Sequence, residues 1–336
     1  MLSKNEKITN YVRGLVEKLG YLINPFVLNH RNENNQLIVF YFHGLYESLG
    51  QKDLNHIDPQ TNMTVSQFDE FIDYFLGNDY VFLKPEDLLA GLEKDKRYAM
   101  ITFDDGYYNN LFAIDTLNKY KTPAVFFVTV KNMLDNKSYW WDIVYKHRSK
   151  QGYSKYKIKT EQELLKDFKH AYIEEYIKSN FGRDSFKPWS DIDRPMTEME
   201  VKSLVKSPYS TIGNHTYNHS ILINCSKSEI KEEFLESNKI LSDLTGTSPI
   251  VVAFPNGSYN KMALDVAEEI GFRIAFNAKP KKNQLPIETR NLICLSRFMA
   301  NTNNIKNYGS FYRLGYTPGS LYKKWRNIVT PFSKEL

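Results

Sequence analysis

The chain has 336 residues, 42% of them hydrophobic and 25% charged, enough for one large globular domain or two smaller ones and not the composition of a disordered or collagen-like protein. Its formal charge of +5 sits at one end: residues 303–336 carry six basic residues against Glu335 alone, so residues 1–302 balance to zero. Two cysteines, Cys225 and Cys294, in no CxxC or Cys-His spacing, exclude a disulfide framework and a thiolate metal site.

The first element in chain order is a predicted amphipathic helix within an N-terminal extension, residues 1–36. Ile8, Tyr11, Val12, Leu15, Val16, Leu19, Leu22 and Ile23 recur at helical spacing, and that face is expected to pack against the domain. Charges interrupt the stretch, so no signal-peptide core is read there, and no apolar run approaches transmembrane length. A soluble, cytoplasmic protein is the expectation. Asn-x-Ser/Thr triplets such as "NHT" and "NGS" carry no weight as glycosylation sites without a secretion signal.

From residue 37 to 302 short apolar runs alternate with helical patterns. "LIVFYFH" (37–43), "YVFL" (80–83), "YAMITF" (98–103), "AVFFVTV" (124–130), "STIGN" (210–214), "IVVAF" (250–254), "FRIAF" (272–276) and "LICLS" (292–296) read as buried strands. Between them lie helices such as "TVSQFDEFIDYFLG" and "KSEIKEEFLESNKILSDLTG", opened by Thr or Ser and closed by Gly. The alternation predicts an α/β fold, a closed or nearly closed parallel barrel of about seven strands. The charged, partly helical segment of about 145–206 fits no barrel unit and reads as an insertion. Residues 303–336 form a basic, aromatic tail, suited either to docking on the domain by its aromatics or to peripheral contact with a membrane surface.

In such a barrel, chemistry collects where strands end. "ITFDDG" ends a strand in Asp104 and Asp105, whose side chains point to opposite faces and can serve two purposes; an ordinary Asp-Gly turn is the plainer reading. "LIVFYFHG" ends in His43, "TIGNHTYNHS" in His215 and His219, "VVAFPNGSY" in Pro255, Asn256 and Gly257, and "LICLSRF" in Arg297. A four-residue spacing sets His215 and His219 on one face if the chain there winds into a helical turn. Two imidazoles and one carboxylate can hold a divalent cation and leave positions open for water.

"TFDDG", "HTYNH" and "FPNGSYN", in that order, resemble the first three motifs of the polysaccharide deacetylase family, also called the NodB homology domain or carbohydrate esterase family 4. The resemblance runs from about Leu37 to Phe298. It implies a distorted parallel (β/α) barrel that removes acetyl groups from sugars with a divalent metal, usually zinc. Carried over by residue, it implies Asp105, His215 and His219 as metal ligands, Asp104 as general base, and the backbone N–H after Pro255 as an oxyanion donor. Asn256 stands where the family usually has Tyr. Ala253 and Phe254 stand where many members have an Arg that orients the base, and Arg297 is the replacement read here. No histidine follows His219, so the Leu-x-His general acid is missing and His43 is assigned that role.

"SYWWDIVY" supplies Trp140 and Trp141, either exposed to stack on sugar faces or buried to anchor the insertion, with Asp142 expected to bind sugar hydroxyls. The expected partner is an amino-sugar glycan, a nucleotide sugar or a lipid-linked precursor, and no nucleic-acid motif appears. Three functions stay open: a metal-dependent hydrolase releasing acetyl or formyl from an amino sugar in surface polysaccharide biosynthesis, a non-sugar amidase, and a carbohydrate-binding protein without turnover.

Overall fold

The structure, a computed structural model, describes residues 4–60, 63–287, 291–300 and 304–321, with side chains from residue 11 onward apart from that of Arg13. In chain order its main elements are helix α1 (Lys4–Asn29), strand β1 (Gln36–Phe42), α2 (Val65–Leu76), β2 (Tyr80–Phe82), β3 (Arg97–Phe103) and β4 (Ala124–Val128). Then follow α3 (Trp140–Lys150), α4 (Lys155–Leu165), α5 (His170–Phe181), β5 (Ser210–Asn214), α6 (Lys227–Thr245), β6 (Val251–Ala253), α7 (Lys261–Ile270) and β7 (Ile274–Phe276). The described part closes with β8 (Asn283–Gln284), β9 (Ile293–Leu295), β10 (Phe298–Met299) and α8 (Ile305–Leu314).

The strands form one sheet in the order β10-β1-β3-β4-β5-β6-β7-β9, parallel throughout, with β2 added parallel to β3 and β8 antiparallel to β1. The sheet curls into a nearly closed barrel. Helices cover its outer face, and the inner face fills with Leu37, Val39, Met100, Phe127, Val251 and Phe276. Both faces are therefore dry, which is why β1, β3 and β4 read as continuous apolar runs rather than as alternating ones. Eight strands coincide with predicted runs; β8 and β10, two residues each, carry no such signal.

Register decides where the side chains of the strand ends go. Phe42 pairs with Phe103, Phe103 with Phe126, Val128 with Asn214, Asn214 with Val252, Ala253 with Phe276, and Phe276 with Leu295. The strands thus stop at one level. The next residues, His43, Asp104, His215, Phe254 and Ser296, stand around a single rim.

Between β4 and β5 the chain builds a helical segment, and α3 begins at Trp140, five residues before the predicted insertion boundary. Its core joins Trp140, Trp141, Ile143 and Val144 to Tyr107 of the barrel. Lys146 Nζ and Asp193 Oδ2, 2.6 Å apart and wholly buried, tie α3 to the segment's far end. Ser138 and the Trp189 and Ser190 N–H groups complete Asp193, so neither charge is stranded.

α1 departs from expectation. It packs on α8 through Gly20, Tyr21, Asn24 and Leu28: Tyr21 meets Phe311 edge-on at 5.8 Å, and Asn24 donates to Ser310 Oγ at 3.2 Å. Much of the predicted apolar face is instead on the outside, with Tyr11 70%, Leu19 56%, Leu22 78% and Ile23 54% exposed, while Val12 and Val16 are half-buried and the side chain of Ile8 lies outside those described. Polar and small residues make the contact because α8 offers Ser310 to Asn24 and presses Phe311 against Gly20, where a Cβ would collide with the ring. Helical spacing identifies such a face but not what covers it. Of the tail, residues 304–321 are docked by aromatics, Tyr312 buried against Phe40 and Phe298; residues 322–336 lie outside the described residues. No helix among the described residues is long and apolar enough to cross a membrane.

Candidate active site

A cavity of about 190 Å³ opens at the mouth of the barrel, lined among others by His43, Asp104, Asp105, Trp140, Trp141, His215, His219, Asn256, Gly257 and Arg297. The structure therefore brings together ten of the residues singled out in the sequence. Pro255 is buried just behind Asn256. Asp142 is elsewhere.

Asp105 follows β3 with φ of 72°, in the left-handed region, and Gly106 repeats it at 82°. Asp tolerates this conformation better than most residues, and here it swings the carboxylate into the mouth while the chain turns away. Tyr139 Oη donates to the Asp105 carbonyl at 2.5 Å and Thr129 N–H at 3.1 Å, fixing the turn. His215 and His219 approach Asp105 Oδ1 with their Nε2 atoms, each at 3.2 Å. The loop carrying them is not the helical turn the spacing suggested: Thr216 and His219 both have positive φ, at 65° and 56°. Asn214, accepting from Thr216 N–H at 2.7 Å, and Glu233 of α6, accepting from Tyr217 and Asn218 N–H, hold that irregular path.

The donor set suits a cation. His215 Nδ1 lies 2.8 Å from the Ala253 carbonyl, which can only accept, so Nδ1 carries the proton and Nε2 presents its lone pair to the site. Burial pushes His219 down from the ordinary imidazole range, only partly opposed by Asp105, so this ring is neutral near pH 7. Neither Asp105 oxygen has a hydrogen-bond donor among the described residues. An ionised, buried carboxylate facing imidazole lone pairs is costly unless a cation lies between them. Tetrahedral ligands at the usual zinc distances lie about 3.3 Å apart, close to the observed 3.2 Å.

Asp104, 4% exposed, is gripped by Arg297: Oδ1 accepts from Nη1 at 2.7 Å and Oδ2 from Nη2 at 2.8 Å. Arg297, itself 1% exposed, also donates to Thr102 Oγ1 at 3.0 Å and to the Asn277 carbonyl at 2.9 Å. Its guanidinium lies 4.7 Å from the Tyr41 ring centroid. Planar fork geometry and aromatic contact make this a site for Arg rather than Lys. Gly257 is sterically required: φ is 64°, and a Cβ there would come within 2.6 Å of the Ala278 nitrogen. Asn256 shares the left-handed turn at φ 54°.

The indoles are buried, 6% exposed each, yet both border the cavity. Trp141 lies 4.5 Å from the His219 ring and donates its Nε1 hydrogen to Tyr107 Oη at 2.9 Å. The role expected of Asp142 is corrected by its position. It is wholly buried, one oxygen accepting from Tyr107 Oη at 2.6 Å and the other from Asp58 N–H at 2.7 Å. Burial raises its pKa well above the carboxylate range, so it supports the wall instead of touching hydroxyls.

Sequence reasoning missed Tyr41, Asp58, Gln60, Lys159, Gln162 and Lys166 in the lining. Gln162 of α4 bridges Asp58 Oδ2 at 2.6 Å and the Trp141 carbonyl at 2.9 Å, which folds the insertion over the mouth. These residues sit on a loop and an insertion helix and form no motif. The loop's place directly after the β1 strand end was the only available signal for Asp58 and Gln60.

Residues 91–275 match the family model for polysaccharide deacetylase. YxkH of Bacillus subtilis, named for polysaccharide deacetylation, is 22% identical over 219 residues, 64% of this chain and 58% of that protein. The peptidoglycan-N-acetylglucosamine deacetylase of Bacillus cereus is 25% identical over 211 residues, 58% of this chain and 72% of that one. Among solved structures, a Bacillus cereus polysaccharide deacetylase superposes with a TM-score of 0.56 at 17% identity, covering 82% of this chain and 69% of that one. The Streptococcus pyogenes deacetylase PplD, solved with acetate, gives 0.55 at 16% identity, covering 86% and 97%. IcaB of Ammonifex degensii gives 0.56 at 16%, covering 83% and 97%. These structural likenesses show a shared deacetylase barrel. With a family match over more than half its length and the Asp-His-His cluster at the barrel mouth, the chain belongs to the polysaccharide deacetylase family.

Proposed function

We propose that the chain is a metal-dependent hydrolase that removes the N-acetyl or N-formyl group from an amino sugar in the making of a surface polysaccharide, with zinc as its cation. One observation carries the reading: Asp104, clamped by Arg297, stands beside the Asp105-His215-His219 cluster in one cavity. A pure binding protein has no use for a second, oriented carboxylate there. The Bacillus cereus relative is named for an N-acetylglucosamine deacetylase, and the two indoles at the cavity edge suit the apolar face of a sugar ring better than a small amide.

Asp105, His215 and His219 would hold the cation, which when bound supplies a polarised acyl carbonyl and an acidified water. Arg297 occupies one lone-pair direction on each Asp104 oxygen, so the others remain free to take the proton of that water. The Asn256 N–H, at the turn that Gly257 permits, is the donor assigned to the developing oxyanion. His43, half-buried at the end of β1, is assigned to protonate the departing amine. Lys159 and Lys166 at the rim favour an anionic substrate such as a nucleotide sugar or a lipid-linked diphosphate precursor, although Glu163, 2.9 and 3.0 Å from them, offsets part of their charge.

The test is acetate and formate release from a panel of N-acylated nucleotide sugars and oligosaccharides, with metal-loaded protein and Asp104→Asn as control. Release that the variant loses is the expected result. Silence across the panel with metal bound stoichiometrically would favour binding without turnover.

A further inference from the structure

Side chains alternate along β1, so Tyr41 points into the barrel with Leu37 and Val39, whereas Phe40 and Phe42 point out toward the helices. Tyr41 is 8% exposed, and that part lines the cavity. Its ring packs on Arg297, whose guanidinium is also met by Phe127 and Phe276, each at 5.7 Å. Of these three rings, the two outside the cavity wall are phenylalanines and the one within it carries a hydroxyl. Among the described residues nothing hydrogen-bonds that hydroxyl, yet it is not sealed from solvent, so it opens into the cavity. Burial, partly opposed by Arg297, pushes the phenol up to about 12. It therefore keeps its proton at neutral pH and can donate.

We propose that Tyr41 is a substrate-binding residue whose hydroxyl donates a hydrogen bond to an oxygen of the bound amino sugar, beside the carbon that bears the acylamino group. The proposal rests on the reading of the cavity as an amino-sugar site. A phenol hydroxyl without a protein partner adds nothing to the fold that phenylalanine would not supply, and a bare ring suffices to pack on Arg297, as Phe127 and Phe276 do. Position selects the substrate atom. β1 flanks β3, which ends in Asp104, on the side away from β4 and β5, and His215 and His219 follow β5. Tyr41 and His43 thus stand across Asp104 from the two histidines, on one face of β1 with ring centroids 5.6 Å apart. An acyl group lying between the Asp105-His215-His219 cluster and Asp104 directs its nitrogen toward His43, which brings the sugar oxygens on the neighbouring carbons to Tyr41. A simple alkyl amide offers no such oxygen and would leave the hydroxyl stranded, so Tyr41 selects for a sugar.

The experiment compares Tyr41→Phe with the wild type, zinc-loaded, on an N-acetylglucosamine tetrasaccharide, or on UDP-N-acetylglucosamine if the wild type prefers it. Acetate release gives kcat and KM. Calorimetric titration of the same sugar into Asp104→Asn and Asp104→Asn/Tyr41→Phe gives Kd without turnover. Tyr41→Phe should raise KM and Kd about 3- to 10-fold, the loss of one neutral hydrogen bond. It should keep kcat within about 2-fold, leave the pH profile of kcat in place and hold or raise the melting temperature. Unchanged KM and Kd, or a fall in kcat alone with a shifted pH profile, overturns the proposal and leaves the deacetylase reading standing. A lower melting temperature with unchanged Kd also overturns it, because the hydroxyl would then serve the fold. Wild-type protein inert toward both sugars overturns it together with the amino-sugar reading.

Discussion

Replacing Arg297 by Met keeps roughly the volume of the side chain but leaves Asp104 4% exposed with no cation beside it. Two unit charges about 4 Å apart interact by ~4 kcal/mol at an effective dielectric of 20. Breaking a buried pair by removing one partner costs about 3–5 kcal/mol. Arg297→Met should therefore lose about that much stability. Asp104→Asn should lose less, because an amide oxygen still accepts one guanidinium hydrogen bond and Thr102 and Asn277 keep two others. The double variant leaves no buried charge at the pair, so it should be more stable than the sum of the single losses allows, by at least ~2 kcal/mol. Urea denaturation of the four proteins measures this cycle. In parallel, Arg297→Met should lower kcat while still binding one metal ion. Losses that add within about 0.5 kcal/mol would mean the pair is not coupled, and unchanged kcat would remove Arg297 from the positioning of the base.

Other expectations are independent of that pair. His43→Gln should lower kcat by about 10²–10⁴ with metal stoichiometry unchanged; a near-normal kcat under saturating metal would assign the acid role to another group. Gly257→Ala, which forces a β-carbon against Ala278 at positive φ, should cost about 1–3 kcal/mol and depress kcat, read by thermal melting and turnover. Removing the metal with a chelator should lower the melting temperature of the wild type by more than that of His219→Ala, since ligand excess of about 100 Kd contributes ~2.7 kcal/mol. Lys282 gives a pH dependence. Burial, partly opposed by Glu33, lowers it from 10.5 to about 8, so the unfolded chain binds its proton more tightly. The resulting penalty, about 3 kcal/mol at pH 7, is relieved as pH rises from 8 to 10.5. Denaturation midpoints should show Lys282→Met losing ground to the wild type over that interval, and a constant difference would contradict the assignment.

How far the sequence could be read follows from what each feature depends on. β1, β3 and β4 were legible because burial on both faces forces an unbroken apolar run, and the strand-end residues were legible because parallel register brings such ends together. The His215 and His219 pair was found by its spacing, but its path was not. Positive φ at Thr216 and His219 is imposed by Asn214 and by Glu233 of α6, and a ligand spacing contains neither. Asp142 misled because its setting is made by Tyr107 and Asp58, distant in sequence. Arg297 lies 193 residues from the carboxylate it grips, yet could be found from its strand end. The face of α1 was visible as apolar and misjudged as covered, since periodicity reports amphipathicity and not the neighbour.

The most direct test of the account is acetate release from an N-acetylated amino-sugar oligosaccharide as zinc is titrated into metal-free protein. The rate should rise from near zero and level off at one equivalent, while Asp104→Asn binds the same equivalent and stays inactive. Release by the metal-free protein at the full rate, or by Asp104→Asn at the wild-type rate, would contradict a site in which Asp105, His215 and His219 hold the cation and Asp104 takes the proton.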